Sequence, residues 1–141
     1  MVAARIHERL PFSLAVTGEA ESWLPALELI ISSRYLCPRR VHGDQELLEM
    51  VELGAVDAAV LDDSAEWELD VLQLLRMIRR LDAVLPVVVV TGRRDRHWLQ
   101  DALRLAAFSV VTRPLELEEL LRQIERMMRR LDDMLRGGPG L

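Results

Sequence analysis

Asp62, Thr91 and Arg113 each stand where a short apolar run gives way to a helix-patterned stretch: Val-Leu-Asp62, Val-Val-Val-Thr91-Gly92 and Val-Val-Thr112-Arg113-Pro114. In an alternating α/β chain such positions fall at the carboxyl ends of strands. Their side chains then converge on one rim of the sheet, where open α/β folds keep their chemistry. An acid, a hydroxyl and a permanently charged, planar guanidinium would meet there, and a guanidinium prefers bidentate pairing with a carboxylate. Plainer uses of the same residues stay open, with Asp62-Asp63-Ser64 as a solvated loop start that caps a helix and Thr91 as another cap.

Other chemistries find no support. No Gly-x-Gly-x-x-Gly, Gly-Lys-Ser/Thr or Gly-x-Ser-x-Gly sequence occurs, which removes the usual nucleotide-binding and hydrolase signatures. His7, His42 and His97 lie far apart without metal-ligand spacing. Cys37 is the sole cysteine, so no internal disulfide forms and a reducing cytoplasm is the expected setting. A net charge of −5 argues against a nucleic-acid partner. Residues 86–90 are too short an apolar run to span a bilayer, and the N-terminus has no secretory pattern. All 18 basic residues are arginine.

The elements that must position the rim read as five β-α pairs in strict alternation. Strands are predicted at 12–16, near 38–42, at 57–61, at 87–90 and at 108–112, and the four consecutive valines mark a strand covered on both faces. Helices are predicted from Glu19 to Ser33, Gln45 to Leu53, Leu69 to Leu81, Asp95 to Ala106 and Glu116 to Arg136. Inward residues are expected at Trp23, Leu24, Leu27, Ile30 and Ile31 in the first helix, at Leu72, Leu75 and Ile78 in the third, and at Leu99, Ala102, Leu103 and Ala106 in the fourth. Strict alternation predicts a three-layer sandwich around a parallel five-stranded sheet with right-handed crossovers. Residues 1–10 read as a lead-in, 11–136 as one domain and 137–141 as a tail.

The order and spacing of these segments resemble the receiver domain of bacterial response regulators. Asp57 lies five residues before Asp62, as in the family's Asp-x-x-x-x-Asp strand; Thr91-Gly92 matches its Ser/Thr-Ala/Gly pair; Thr112-Arg113-Pro114-Leu115 stands where it reads Thr-Lys-Pro-Phe. The resemblance implies a flavodoxin-like, doubly wound (βα)5 fold with strand order 2-1-3-4-5. It implies Asp62 as phospho-acceptor, a Thr91 hydroxyl on the new phosphate and a position-113 cation that offsets its charge. It also implies Mg²⁺, for which Glu19 and Asp62 are the candidate ligands. The chain departs at strand one, where Thr17 and Gly18 replace an acid pair, at Arg113 for lysine, and at Val110, which occupies the place of the switch aromatic. A salt bridge from Arg113 to Asp62 would fill the place of metal and phosphate.

Two surfaces are candidates for contact. Trp98 falls outside the expected inward stripe of the fourth helix, so it is either edge packing or part of a patch. The last helix keeps an apolar face through Leu131 and Met134, beyond the point where the sheet should end, either as an overhang or as a self-association surface. Pairs Glu118–Arg122, Glu125–Arg129 and Arg129–Asp133 are expected on its solvent side. The expected function is two-component (phosphorelay) signalling without enzyme activity, as an atypical or pseudo-receiver acting by protein–protein recognition. The alternative is an active acceptor phosphorylated on Asp62 by a histidine kinase. A histidine kinase or other signalling protein and a homodimer through helices 4 and 5 are the expected partners. A small enzyme on the same fold is the third reading.

Overall fold

Side chains alternate across a strand, so an apolar run flanked by amphipathic helices can bury both of its faces at once. The computed structural model describes residues 11–18, 20–31, 34–65, 67–114 and 116–135. The lead-in at 1–10, Glu19, Leu115, Arg136 and the tail at 137–141 lie outside the described residues. Strands β1 (Phe12–Val16), β2 (Leu36–Arg40), β3 (Ala58–Asp62), β4 (Val87–Thr91) and β5 (Ala107–Thr112) alternate with helices α1 (Ala20–Ile30), α2 (Asp44–Glu52), α3 (Val71–Leu81), α4 (Arg96–Ala106) and α5 (Leu117–Leu135). All strand pairs are parallel, in the order β2-β1-β3-β4-β5. This is the flavodoxin-like order.

Two cores follow from the alternation. Leu14, Val16, Val60, Val88 and Val90 pack against Trp23, Leu24 and Leu27 of α1 and Leu120, Ile124 and Met127 of α5. Ala15, Ala59, Leu61, Val87 and Val89 pack against Leu47 and Val51 of α2, Leu74, Leu75 and Ile78 of α3, and Trp98, Ala102 and Ala106 of α4. The four valines are fully buried, two to each side.

Several boundaries and faces depart from the sequence expectation. Strand β2 begins at Leu36, with Pro38 beside Leu14; a proline is tolerated on this edge strand, where one side of the backbone has no partner strand. Helix α3 begins at Val71 because Asp70 and Gln73 form a reciprocal cap. Asp70 Oδ1 accepts the Gln73 N–H at 2.9 Å, and Gln73 Oε1 accepts the Asp70 N–H at 3.1 Å. Ile30 of α1 points outward. In α4 the expected stripe is turned: Trp98 is only 7% exposed, while Leu103 is 51% exposed. Burying the large indole in the core removes more apolar area from water than burying a leucine would. Asp95 caps this helix, accepting the His97 and Trp98 N–H groups.

Helix α5 stays covered further than its overhang suggested, since Leu131 is 9% exposed and joins the α1-side core. Arg122 pairs with Glu119 at 2.5 Å rather than with Glu118. At the opposite pole from the β3 and β4 carboxyl ends, Arg79 closes the ends of α3 and α4. Its guanidinium donates to the carbonyls of Leu105, Asp82, Leu85 and Ala106 at 2.6, 3.0, 2.5 and 2.8 Å. Burial pushes the pKa of this guanidinium down, partly offset by the Asp82 charge.

Candidate functional site

Strand order reverses between β1 and β3, since β2 is added on one side of β1 and β4 and β5 on the other. A crevice opens at the carboxyl ends of strands at such a switch point. Thr17, directly after β1, turns its hydroxyl into the sheet. Its Oγ1 donates to the Val60 carbonyl at 3.3 Å and accepts the Asp62 N–H at 2.9 Å. The side chain is consumed by tying β1 to β3.

Gly18 follows with φ 69°, in the left-handed region that favours glycine. A Cβ there would lie 2.6 Å from Asp62 Cβ and 2.7 Å from Ser64 Oγ. The loop can press onto Asp62 only because position 18 has no side chain.

Asp62 ends β3 with a fully buried side chain. Its Oδ1 accepts the Ser64 N–H at 2.9 Å and a hydrogen bond from Arg113 Nη2. Its Oδ2 is buried and has no hydrogen-bond partner. Asp63 is the residue that sequence reasoning passed over. Its Oδ2 accepts the Thr91 hydroxyl at 2.5 Å and the Gly92 N–H at 3.2 Å, and its Oδ1 accepts Arg113 Nη1 at 2.5 Å. The adjacent carboxylates, whose like charges would repel, are bridged by one guanidinium whose two amino groups divide between them. Only the double acid in the sequence could have signalled this role.

The donors come from β4 and β5. Thr91 ends β4; its Oγ1 also accepts the Arg93 N–H at 3.0 Å. Arg113 follows β5, its N–H bonded to the Thr91 carbonyl at 2.8 Å, with a cis peptide bond to Pro114. The carbonyl of Arg113 in turn accepts Arg94 Nη2 at 2.6 Å. Arg93 stretches its guanidinium over the Trp98 ring, 4.7 Å from its centre. The β4–α4 loop is thus tied to Asp63 through Thr91, to β5 through Arg94 and to α4 through Arg93.

The structure therefore brings Thr17, Asp62, Thr91 and Arg113 together on one rim and adds Asp63 to them. Glu19 lies outside the described residues. Neither capping alternative holds, because Asp70 and Asp95 cap α3 and α4 while Asp62 is buried. Val110 is half-buried and packs against the α2–α4 core. Beside the rim, Arg94, Val110, Thr112, Pro114, Glu116 and Glu119 line an open cleft of about 390 Å³. Among the described residues no helix is long and apolar enough to cross a membrane.

Residues 21–125 match the family model for the response regulator receiver domain. The TorCAD operon transcriptional regulatory protein TorR of Escherichia coli (strain K12) is 35% identical over 86 residues, 61% of this chain and 36% of that regulator. The chain thus aligns with about a third of that relative's length. Its fold is shared with the receiver domain of the TMAO respiratory system regulator TorR, at TM-score 0.69 and 24% identity, covering 86% of this chain and 99% of that one. It is shared likewise with the receiver domain of the sensor histidine kinase PA1611 from Pseudomonas aeruginosa PAO1, at TM-score 0.67 and 15% identity, covering 84% and 98%. That receiver has a magnesium ion coordinated in its active-site cleft. Receiver domains are generally signalling domains rather than enzymes, and they interact with histidine kinases and effector domains. On its family match and its strand order, the chain belongs to the response regulator receiver domain family of two-component signalling.

Proposed function

We propose that this chain is an atypical receiver, a pseudo-receiver that acts by protein–protein recognition while Asp62 stays out of a phosphoryl cycle. One observation carries the reading: the Arg113 guanidinium spans the Asp62 and Asp63 carboxylates, so a cation built into the chain already offsets one of the two negative charges and holds both acids. The chemistry of the donor set supports it. Thr17 spends its hydroxyl inside the sheet, and Gly18 has neither a carboxylate nor room for one. Among the described residues no group of three or more His, Cys, Asp or Glu could hold a metal. A hard divalent cation needs several oxygen ligands, and here two of the carboxylates it would draw on are held by a guanidinium. The described residues do not fit Mg²⁺, and nothing in this reading passes through it.

Recognition is assigned to the face made by α4, β5 and α5. The open cleft beside Val110 and Pro114 and the exposed Leu103 support this assignment; the buried Trp98 contributes nothing to it. The partner is a histidine kinase or another signalling protein in the cytoplasm, and a homodimer through α4 and α5 would use the same face. A net charge of −5 weighs against nucleic acid.

A second reading, an active acceptor phosphorylated on Asp62, is favoured by Asp62 Oδ2, a carboxylate oxygen that no donor occupies. Incubation with a small phosphodonor and Mg²⁺, read by intact mass, separates the two. The pseudo-receiver gains no mass with any donor. A gain that disappears in Asp62→Ala establishes the acceptor instead.

A further inference from the structure

Asp63 shares the Arg113 guanidinium with Asp62, yet it is the more heavily bonded acid of the two. A hydroxyl, a backbone N–H and a guanidinium all aim at its carboxylate. Three donors converging from the end of β4 and from the segments that follow β4 and β5 form a seat for an anion, because charge-assisted bonds to oxygen are the strong ones. The seat adjoins Asp62, since Arg113 reaches both acids. Any phosphate arriving there needs the same donors and meets a carboxylate already holding them.

We propose that the Asp63 carboxylate is a resident anion: it occupies an anion seat made of Thr91 Oγ1, Gly92 N and Arg113, and so holds the β4–α4 loop in its anion-bound arrangement without phosphorylation. The inference deepens the reading of the rim as a receiver's recognition site and rests on it. The seat is wired to the surface. Thr91 Oγ1 donates to Asp63 and accepts from Arg93 N, Arg93 covers the Trp98 ring, and Arg94 holds the Arg113 carbonyl. Emptying the seat frees Thr91 to rotate, and the loop loses the anchor that sets Arg93 over the indole. The ligand class of the emptied seat is a small oxyanion such as phosphate, since three donors, one of them positively charged, offer charge-assisted bonds to its oxygens.

The test uses the full chain, ¹⁵N-labelled, with Asp63→Ala and Asp63→Asn variants and inorganic phosphate as the probe. In Asp63→Ala the amides of Thr91 to Arg94 and the Trp98 indole N–H shift from their parent positions. Asp63→Asn, which keeps the shape and loses the charge, shifts them less. Phosphate moves the Asp63→Ala resonances back toward the parent and binds about tenfold or more tighter than to the parent, the worth of one charge-assisted hydrogen bond. Adding Thr91→Val to Asp63→Ala abolishes that return, which a merely structural role for Asp63 does not require. Should Asp63→Ala lose its cooperative unfolding transition, Asp63→Asn carries the same titration. The proposal is overturned when the loop amides stay at their parent positions in both variants, or when phosphate moves the parent as far as the variants. Failure of the pseudo-receiver reading looks different: phosphodonor with Mg²⁺ adds mass to the parent at Asp62, whatever the phosphate titration of the variants gives.

Discussion

Gly18 lies so close over Asp62 that a methyl group at position 18 would stand 2.6 Å from Asp62 Cβ. The contact seals the buried acid from the β1–α1 side and fixes what strand one can offer. Gly18→Ala is expected to lose about 2–4 kcal/mol, from the left-handed backbone and the overlap together. Urea denaturation at fixed pH measures it. A loss under 1 kcal/mol would mean that the loop moves away freely and that the seal is not tight.

Thr17 is a structural clamp, so its hydroxyl matters and its bulk does not. Thr17→Val keeps the shape but strands the buried Asp62 N–H, at a cost of about 1–3 kcal/mol. Thr17→Ser retains the bond and should fall near the parent in the same denaturation series. If valine and serine prove equally stable, the clamp assignment is wrong.

The Asp62–Arg113 pair is predicted to be asymmetric. Arg113→Met leaves a fully buried carboxylate without its cation, and removing one partner of a buried pair costs about 3–5 kcal/mol. Arg113 is itself 24% exposed in its side chain, which puts the expectation at the low end of that range. Asp62→Asn added to Arg113→Met should recover most of the loss. A double-mutant cycle with no coupling between the two positions would contradict the bridge.

Arg79 is expected to be the most sensitive arginine outside the rim. Its four carbonyl acceptors close the C-terminal ends of α3 and α4, and Arg79→Met leaves them to water or to nothing. The expected cost is about 2–4 kcal/mol, with Arg79→Lys little better because an ammonium cannot fork between them. Thermal unfolding of the two variants should give melting points lowered by similar amounts.

Glu119, on the wall of the cleft, supplies a pH test that does not involve the acid pair. The hydrogen bond from Gln123, and then Arg122, holds its carboxyl below the usual glutamate value. A depressed folded pKa contributes stability above the unfolded value, and that stability is lost as pH falls through the folded one. Because the side chain is 35% exposed and lies at the surface, the effect on stability should be slight and screened by salt. Carboxyl NMR titration should find Glu119 below its neighbours, and Gln123→Ala should raise it.

Apolar periodicity is a property of consecutive residues, so the five β-α units were legible in the sequence, as was the rim on which Asp62, Thr91 and Arg113 converge. Four valines in a row could only be a central strand, and a strand end before each helix could only be one rim. What the sequence left open depended on partners distant along the chain. The turn of α4 that buries Trp98 and exposes Leu103 followed from the space left by α3 and the sheet, and Arg79's acceptors come from residues up to 27 positions away. Above all, tertiary structure decided that Thr91 takes hold of Asp63 and that Arg113 reaches Asp63 as well as Asp62. Two adjacent acids are alike in sequence. Strand pleating sends one into the sheet and leaves the other at the loop, where the donors of β4 and β5 reach it.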